Sequence, residues 1–196
     1  MKGRIVRLVG FVTVVCLVLI PSFSKADDDG YLLKKGTKEF GIGSGFVASF
    51  SSNRTVNMIP LDIRYGVVLT DPIGPSFLKG NLELLGEATG DYVFHNQRKM
   101  GVGLSGLIRY NFLAADCFKP FIQAGIGVYH TTLKMEGFPN DFNFLSQGGV
   151  GFNLFVTSNV AIQLDYLVQH LSNAGFYEDN SGLNMQKAGL GIAYFF

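Results

Sequence analysis

Tryptophan is absent from this chain, cysteine nearly so, and only 16% of its residues are charged. Of the two cysteines, Cys16 lies in an apolar N-terminal stretch and Cys117 in the turn-like segment "AADCFKP". A single cysteine beyond that stretch excludes an internal disulfide, and Cys117 reads as an incidental free thiol rather than a nucleophile. Also missing is any apolar run near the roughly 20 residues that a membrane helix needs. What the chain does have is glycine and phenylalanine, 25 and 18 residues of them. A hydrophobic chain rich in both, without long apolar runs, points to strands whose apolar residues alternate with small or polar ones.

The first 26 residues read as a secretory signal. Lys2, Arg4 and Arg7 form a positive n-region, Leu8 to Ile20 an apolar core, and Ser24-Lys25-Ala26 a cleavage site with small residues at −3 and −1. The expected mature chain is then a single domain, 27–196. Four of the 16 basic residues leave with the signal and no acid does, so the mature balance is negative. That charge argues against nucleic-acid binding, which wants a basic patch.

Period-two alternation recurs through the mature part. Phe40, Ile42, Phe46 and Phe50 share one parity, as do Leu61, Ile63, Tyr65, Val67 and Leu69. The pattern continues through Leu82 and Leu84, then Met100 to Phe112, Ile122 to Val128, 142–154, Val160 to Val168, and Leu190 to Phe196. Charged Arg64, Glu83, Arg109 and Asp165 fall on the opposite, less apolar parity. Eight such segments, of a length suited to tilted membrane strands, give an all-β fold. Alternation alone leaves it open between a soluble sandwich and a membrane barrel. The secretory signal, the even count and the terminal aromatic favour an eight-stranded antiparallel transmembrane β-barrel. Its apolar face would meet lipid and its polar face a lumen. The ending Gly191-Ile192-Ala193-Tyr194-Phe195-Phe196 resembles the C-terminal assembly signal of bacterial outer-membrane proteins. With both termini periplasmic, 157–159 and 71–77 become lower turns, and 91–99, 131–141 and 173–183 outer loops.

Gly101-Val102-Gly103-Leu104-Ser105-Gly106 matches a dinucleotide fingerprint letter for letter. It lies within a predicted strand and opens no helix, so the glycines read instead as relief for a narrow lumen. His95 and His130 have no serine at matching spacing and read as solvated. Tyr65, Tyr110, Tyr166 and Tyr194 read as interfacial aromatics. No His, Cys and carboxylate cluster has metal-binding spacing, and no metal or other cofactor is expected.

One polar pair stands out on an apolar stripe. His170 and Ser172 keep the parity of Ile162, Leu164, Tyr166 and Val168 and end the seventh strand. Residues two apart on a strand share a face, so an imidazole and a hydroxyl so spaced can approach one another. The bland alternative is a belt histidine and a turn-start serine. With His170-Leu171-Ser172-Asn173-Ala174-Gly175 at the end of the penultimate strand, the chain resembles the outer-membrane lipid A 3-O-deacylase (PagL-like) family.

The resemblance implies a serine esterase at the outer leaflet of the bacterial outer membrane, acting on lipid A of lipopolysaccharide. His170 would take the proton of Ser172, and backbone N–H groups near Asn173 and Gly175 would hold the oxyanion. It also calls for an acid on the final strand about a dozen residues after the serine. This chain has Asn184 there, on the parity of Leu190, Ile192 and Tyr194. An Asn can orient a His but supplies no charge; the loop acids Glu178 and Asp179 are the alternatives. A homodimer is compatible with the resemblance, though no motif here points to one. The rival expectation is a non-enzymatic small barrel, an adhesin or envelope structural protein.

Overall fold

A computed structural model describes residues 33–50, 55–95, 97–139, 141–176 and 181–196, with backbone alone for residues 95, 97 and 98. The expected leader, 1–26, lies outside the described residues, as do Glu178 and Asp179. Eight strands follow in chain order: β1 Lys38–Ser49, β2 Asn57–Val68, β3 Gly80–His95, β4 Gln97–Phe112, β5 Phe118–Thr131, β6 Phe142–Phe155, β7 Val160–Ser172 and β8 Leu183–Phe195. Each pairs antiparallel with the next, and β8 pairs back onto β1, which closes the barrel. Closure leaves no sheet edge with unpaired backbone groups, the condition a strand must meet to lie in lipid.

The alternation read from the sequence sorts side chains as expected. On β7, Gln163, Asp165, Leu167 and Gln169 are buried inside, while Leu164, Tyr166 and Val168 lie exposed outside. The same division runs around the barrel, with Phe40, Ile42, Leu61, Ile63, Leu104, Ile108, Ile122, Ile126, Leu190 and Ile192 exposed. A soluble protein rarely exposes so continuous an apolar surface; a lipid-facing wall requires one. Tyr65, Tyr110, Tyr166 and Tyr194 all stand on this outer wall.

Arg109, Arg64 and Lys187 organise the lumen. Arg109 pairs with Glu39 at 2.7 Å, reaches Glu83 at 3.5 Å and donates to Gln123 at 3.0 Å. Arg64 bonds Glu87 at 2.5 Å and Asp165 at 2.9 Å, and donates also to Gln163. Lys187 meets Asp62 at 2.7 Å. Pairing of this kind is what allows charges to be buried at all. Apolar plugs close both ends. Val47, Met58, Val93, Tyr129, Leu133, Phe138, Leu145, Leu171, Leu183 and Met185 belong to the plug at the β7–β8 loop end. Leu33, Val68, Phe155, Ala161, Ala193 and Phe195 form the other, with Cys117 and Leu113 packed against it.

One expected connection differs. Residues 91–95 and 97–99, read as part of an outer loop, belong instead to β3 and β4, which pair out to His95↔Gln97. Asp91 points inward and accepts a 2.7 Å hydrogen bond from the Tyr129 hydroxyl. A Cβ built on Gly101 would stand 1.9 Å from that hydroxyl oxygen, and one on Gly103 2.9 Å from the ring. The tyrosine thus lies across the glycines of the false dinucleotide fingerprint. Gly101 and Gly103 are paired strand positions of β4 that leave room for the Tyr129 side chain of the adjacent β5.

Candidate active site

His170 and Ser172 occupy the last turn-ward positions of β7, at the end where the 132–141 and 173–182 connections lie. Both are half-buried and point out of the barrel, continuing the stripe of Leu164, Tyr166 and Val168; their neighbours Gln169, Leu171 and Asn173 point in. The strand pairing sets Ser146 of β6 and Asn184 of β8 on either side of His170. Asn184 lies exposed on the same wall. Its Oδ1 is 2.7 Å from His170 Nδ1. With a carbonyl oxygen as acceptor, the Nδ1 position carries the proton and Nε2 presents its lone pair. No hydrogen bond among the described residues joins His170 to Ser172.

The edge of the imidazole bearing Cε1 and Nε2 faces Gly182. A Cβ on that glycine would lie 2.7 Å from Cε1 and 3.2 Å from Nε2. Continuing the β7–β8 register past Leu171↔Leu183 puts Gly182 abreast of Ser172. The ring therefore leans toward the serine's end of the strand and away from Ser146.

Beyond Ser172 the chain turns tightly. Ala174 and Gly175 both have positive φ, 52° and 82°, and Phe176 N–H donates to Asn173 O at 3.1 Å. Two left-handed residues at the centre of a four-residue turn are the pattern of a type I′ turn. The Asn173 side chain, 2% exposed, points inward and its Oδ1 accepts from Gly175 N–H at 3.0 Å. Of the two backbone donors singled out in the sequence, Gly175 is thus engaged within the turn. Phe144, paired with Ser172 across β6–β7, and Phe176 stack loosely beside it, ring centroids 5.9 Å apart.

A profile described as Lipid A 3-O-deacylase (PagL) matches residues 73–193, more than half of the chain and all of its His170–Asn184 segment. The chain belongs to the lipid A 3-O-deacylase (PagL) family. Membership places it among lipid A deacylases of the bacterial outer membrane. No curated protein matches. Among solved structures, the outer-membrane enzyme PagL is similar at 21% identity and TM-score 0.56, covering 80% of this chain and 98% of that one. Neisserial surface protein A is similar at 13% identity and TM-score 0.57, covering 82% and 96%. The N-terminal barrel of Pseudomonas aeruginosa OprF follows at 16% and 0.51, covering 83% and 98%. At such identities these structures speak for the small-barrel fold, which the PagL family shares with proteins of other kinds.

Among the described residues no group of three or more His, Cys, Asp or Glu side chains gathers to hold a metal. His130, near the end of β5, is exposed and has no serine beside it. Two residues around the PagL-like pair were not singled out in the sequence: Ser146 and Gly182. Register across three strands brings them in, and a reading of one strand at a time does not contain it.

Proposed function

We propose that this chain is a serine esterase that removes the 3-O-linked acyl chain of lipid A in the outer leaflet of the outer membrane. The observation that carries the proposal is the outward aim of His170 and Ser172 on a wall that is apolar over most of its surface. Polar groups facing hydrocarbon are costly. A substrate whose ester lies at the membrane surface, with its acyl chains in lipid, would give these two groups a partner.

The chemistry is acyl transfer in two halves. Ser172 Oγ bonds to the ester carbonyl carbon while His170 Nε2 takes its proton. The carbon–oxygen bond to the sugar then breaks, and the imidazolium returns the proton to the departing sugar oxygen. Water, activated by the same nitrogen, releases a 3-hydroxy fatty acid and restores the serine. The His170–Ser172 hydrogen bond would form with substrate in place, since catalytic hydrogen bonds often tighten only once substrate is bound. Asn184 orients the imidazole through Nδ1. Of the expected oxyanion donors, Asn173 N–H is the one beside Ser172, and Gly175 N–H holds the turn.

Lipid A from cells expressing wild type, Ser172→Ala or His170→Ala tests the proposal by mass spectrometry. Loss of one 3-hydroxyacyl mass with wild type alone is the expected result. Three identical spectra would leave the barrel an adhesin or structural protein.

A further inference from the structure

A histidine acting as a base must be held in one orientation, and Asn184 fixes only one of its nitrogens. The opposite edge of the ring needs a second support. Gly182 lies there, buried beneath the imidazole, with φ of +71°. Two independent features bar a side chain at this position: the left-handed backbone disfavours any Cβ, and a Cβ would enter the ring's space at 2.7 Å from Cε1.

Gly182 is itself held from the far side of the barrel mouth. Ser181 N–H donates to Gly137 O at 3.0 Å, and its hydroxyl donates to the same oxygen at 3.2 Å. Gly137 belongs to the β5–β6 connection, which bends over the mouth and buries Leu133 and Phe138 at 1% and 0% exposure. Those side chains join the same apolar plug as Leu171 and Leu183, the inward neighbours of His170, Ser172 and Asn184. The plug and the double hydrogen bond thus fix the 181–182 backbone against β7.

We propose that Gly182 is a positioning residue for His170: it is the floor on which the imidazole rests, set in place by the β5–β6 loop through Ser181. A side chain here would push the ring off the line that joins Asn184 to Ser172. The inference deepens the esterase reading and rests on it for its kinetic consequence, though the ring's placement can be observed without turnover.

The test compares Gly182→Ala with wild type and with Gly36→Ala, a left-handed glycine (φ +90°) in open space at the other end of the barrel. Each detergent-refolded protein is assayed on lipid A micelles, and its imidazole ¹⁵N spectrum is recorded. Gly182→Ala should lower kcat by about 10- to 100-fold with KM within twofold, in the range of geometric misplacement. It should also move the His170 nitrogen signals away from the Nδ1-protonated pattern, while Gly36→Ala leaves both unchanged. An unmoved His170 spectrum in Gly182→Ala overturns the proposal, whatever happens to kcat. A moved spectrum together with a wild type that cleaves nothing would uphold the positioning role and refute the esterase reading instead.

Discussion

At the scale of single residues, Asn184 is where this chain departs from the pattern its family resemblance calls for. Its amide oxygen can hold His170 in the tautomer a base requires, yet it offers no negative charge to the imidazolium that the proposed attack by Ser172 would form. In a serine protease, exchanging the triad Asp for Asn costs about 10⁴-fold in kcat, largely through the wrong tautomer. Here the 2.7 Å contact comes from Oδ1, so the tautomer penalty is avoided and the missing charge remains. Asn184→Glu should therefore raise kcat, by about tenfold if one general-base interaction is improved by ~1.4 kcal/mol, and Asn184→Ala should lower it. Steady-state kinetics on lipid A micelles check both. An Asn184→Ala protein of full activity, beside Glu178→Ala or Asp179→Ala without any, would instead place the third member in the loop. Asn184 and the His170–Ser172 pair were legible in the sequence because strand parity fixes which wall a residue faces. Gly182 was not. A glycine after a serine reads as an ordinary turn, and the imidazole above it appears only once β7 and β8 are paired.

At the scale of elements, the β5–β6 connection does more than link two strands. Its Leu133 and Phe138 fill the barrel mouth, and Gly137 O ties it to the segment that enters β8. Phe138→Ala should cost about 3–5 kcal/mol, the range for a buried Phe truncated to Ala. Loosening the floor under His170, it should also lower kcat more than KM. Urea unfolding followed by the electrophoretic shift between folded and unfolded barrel reads the first effect, and kinetics the second. The loop's position in the chain was legible, since residues 131–141 interrupt the alternation. Its insertion into the mouth was not, because Leu133, Met135 and Phe138, apolar residues in a polar stretch, carry no address. The 91–99 segment failed for the converse reason. Asp91 reads locally as a loop residue, whereas it is a paired strand position whose carboxylate accepts from the Tyr129 hydroxyl of β5, beside Gly101 and Gly103.

For the whole molecule, an eight-stranded barrel is narrow enough for side chains to fill. This one is filled in layers, ionic in the middle and apolar at each end. Among the described residues the lumen is packed with side chains, which agrees with the proposal that the chemistry is performed on the outer wall, where lipid is the solvent. The charged residues Arg64, Glu83, Arg109 and Asp165 signalled the lumen through parity alone. Their partners, set by closure of β8 onto β1 and by the stagger of the strands, could not be read from any one segment. An outward-facing serine, not the lumen, is proposed to cleave the lipid. The most direct test of that proposal is release of 3-hydroxy fatty acid from lipid A micelles by the purified, refolded barrel. Release by wild type and none above background by Ser172→Ala is the expected result, with both proteins folded to the same extent. Release that persists in Ser172→Ala would contradict the proposal.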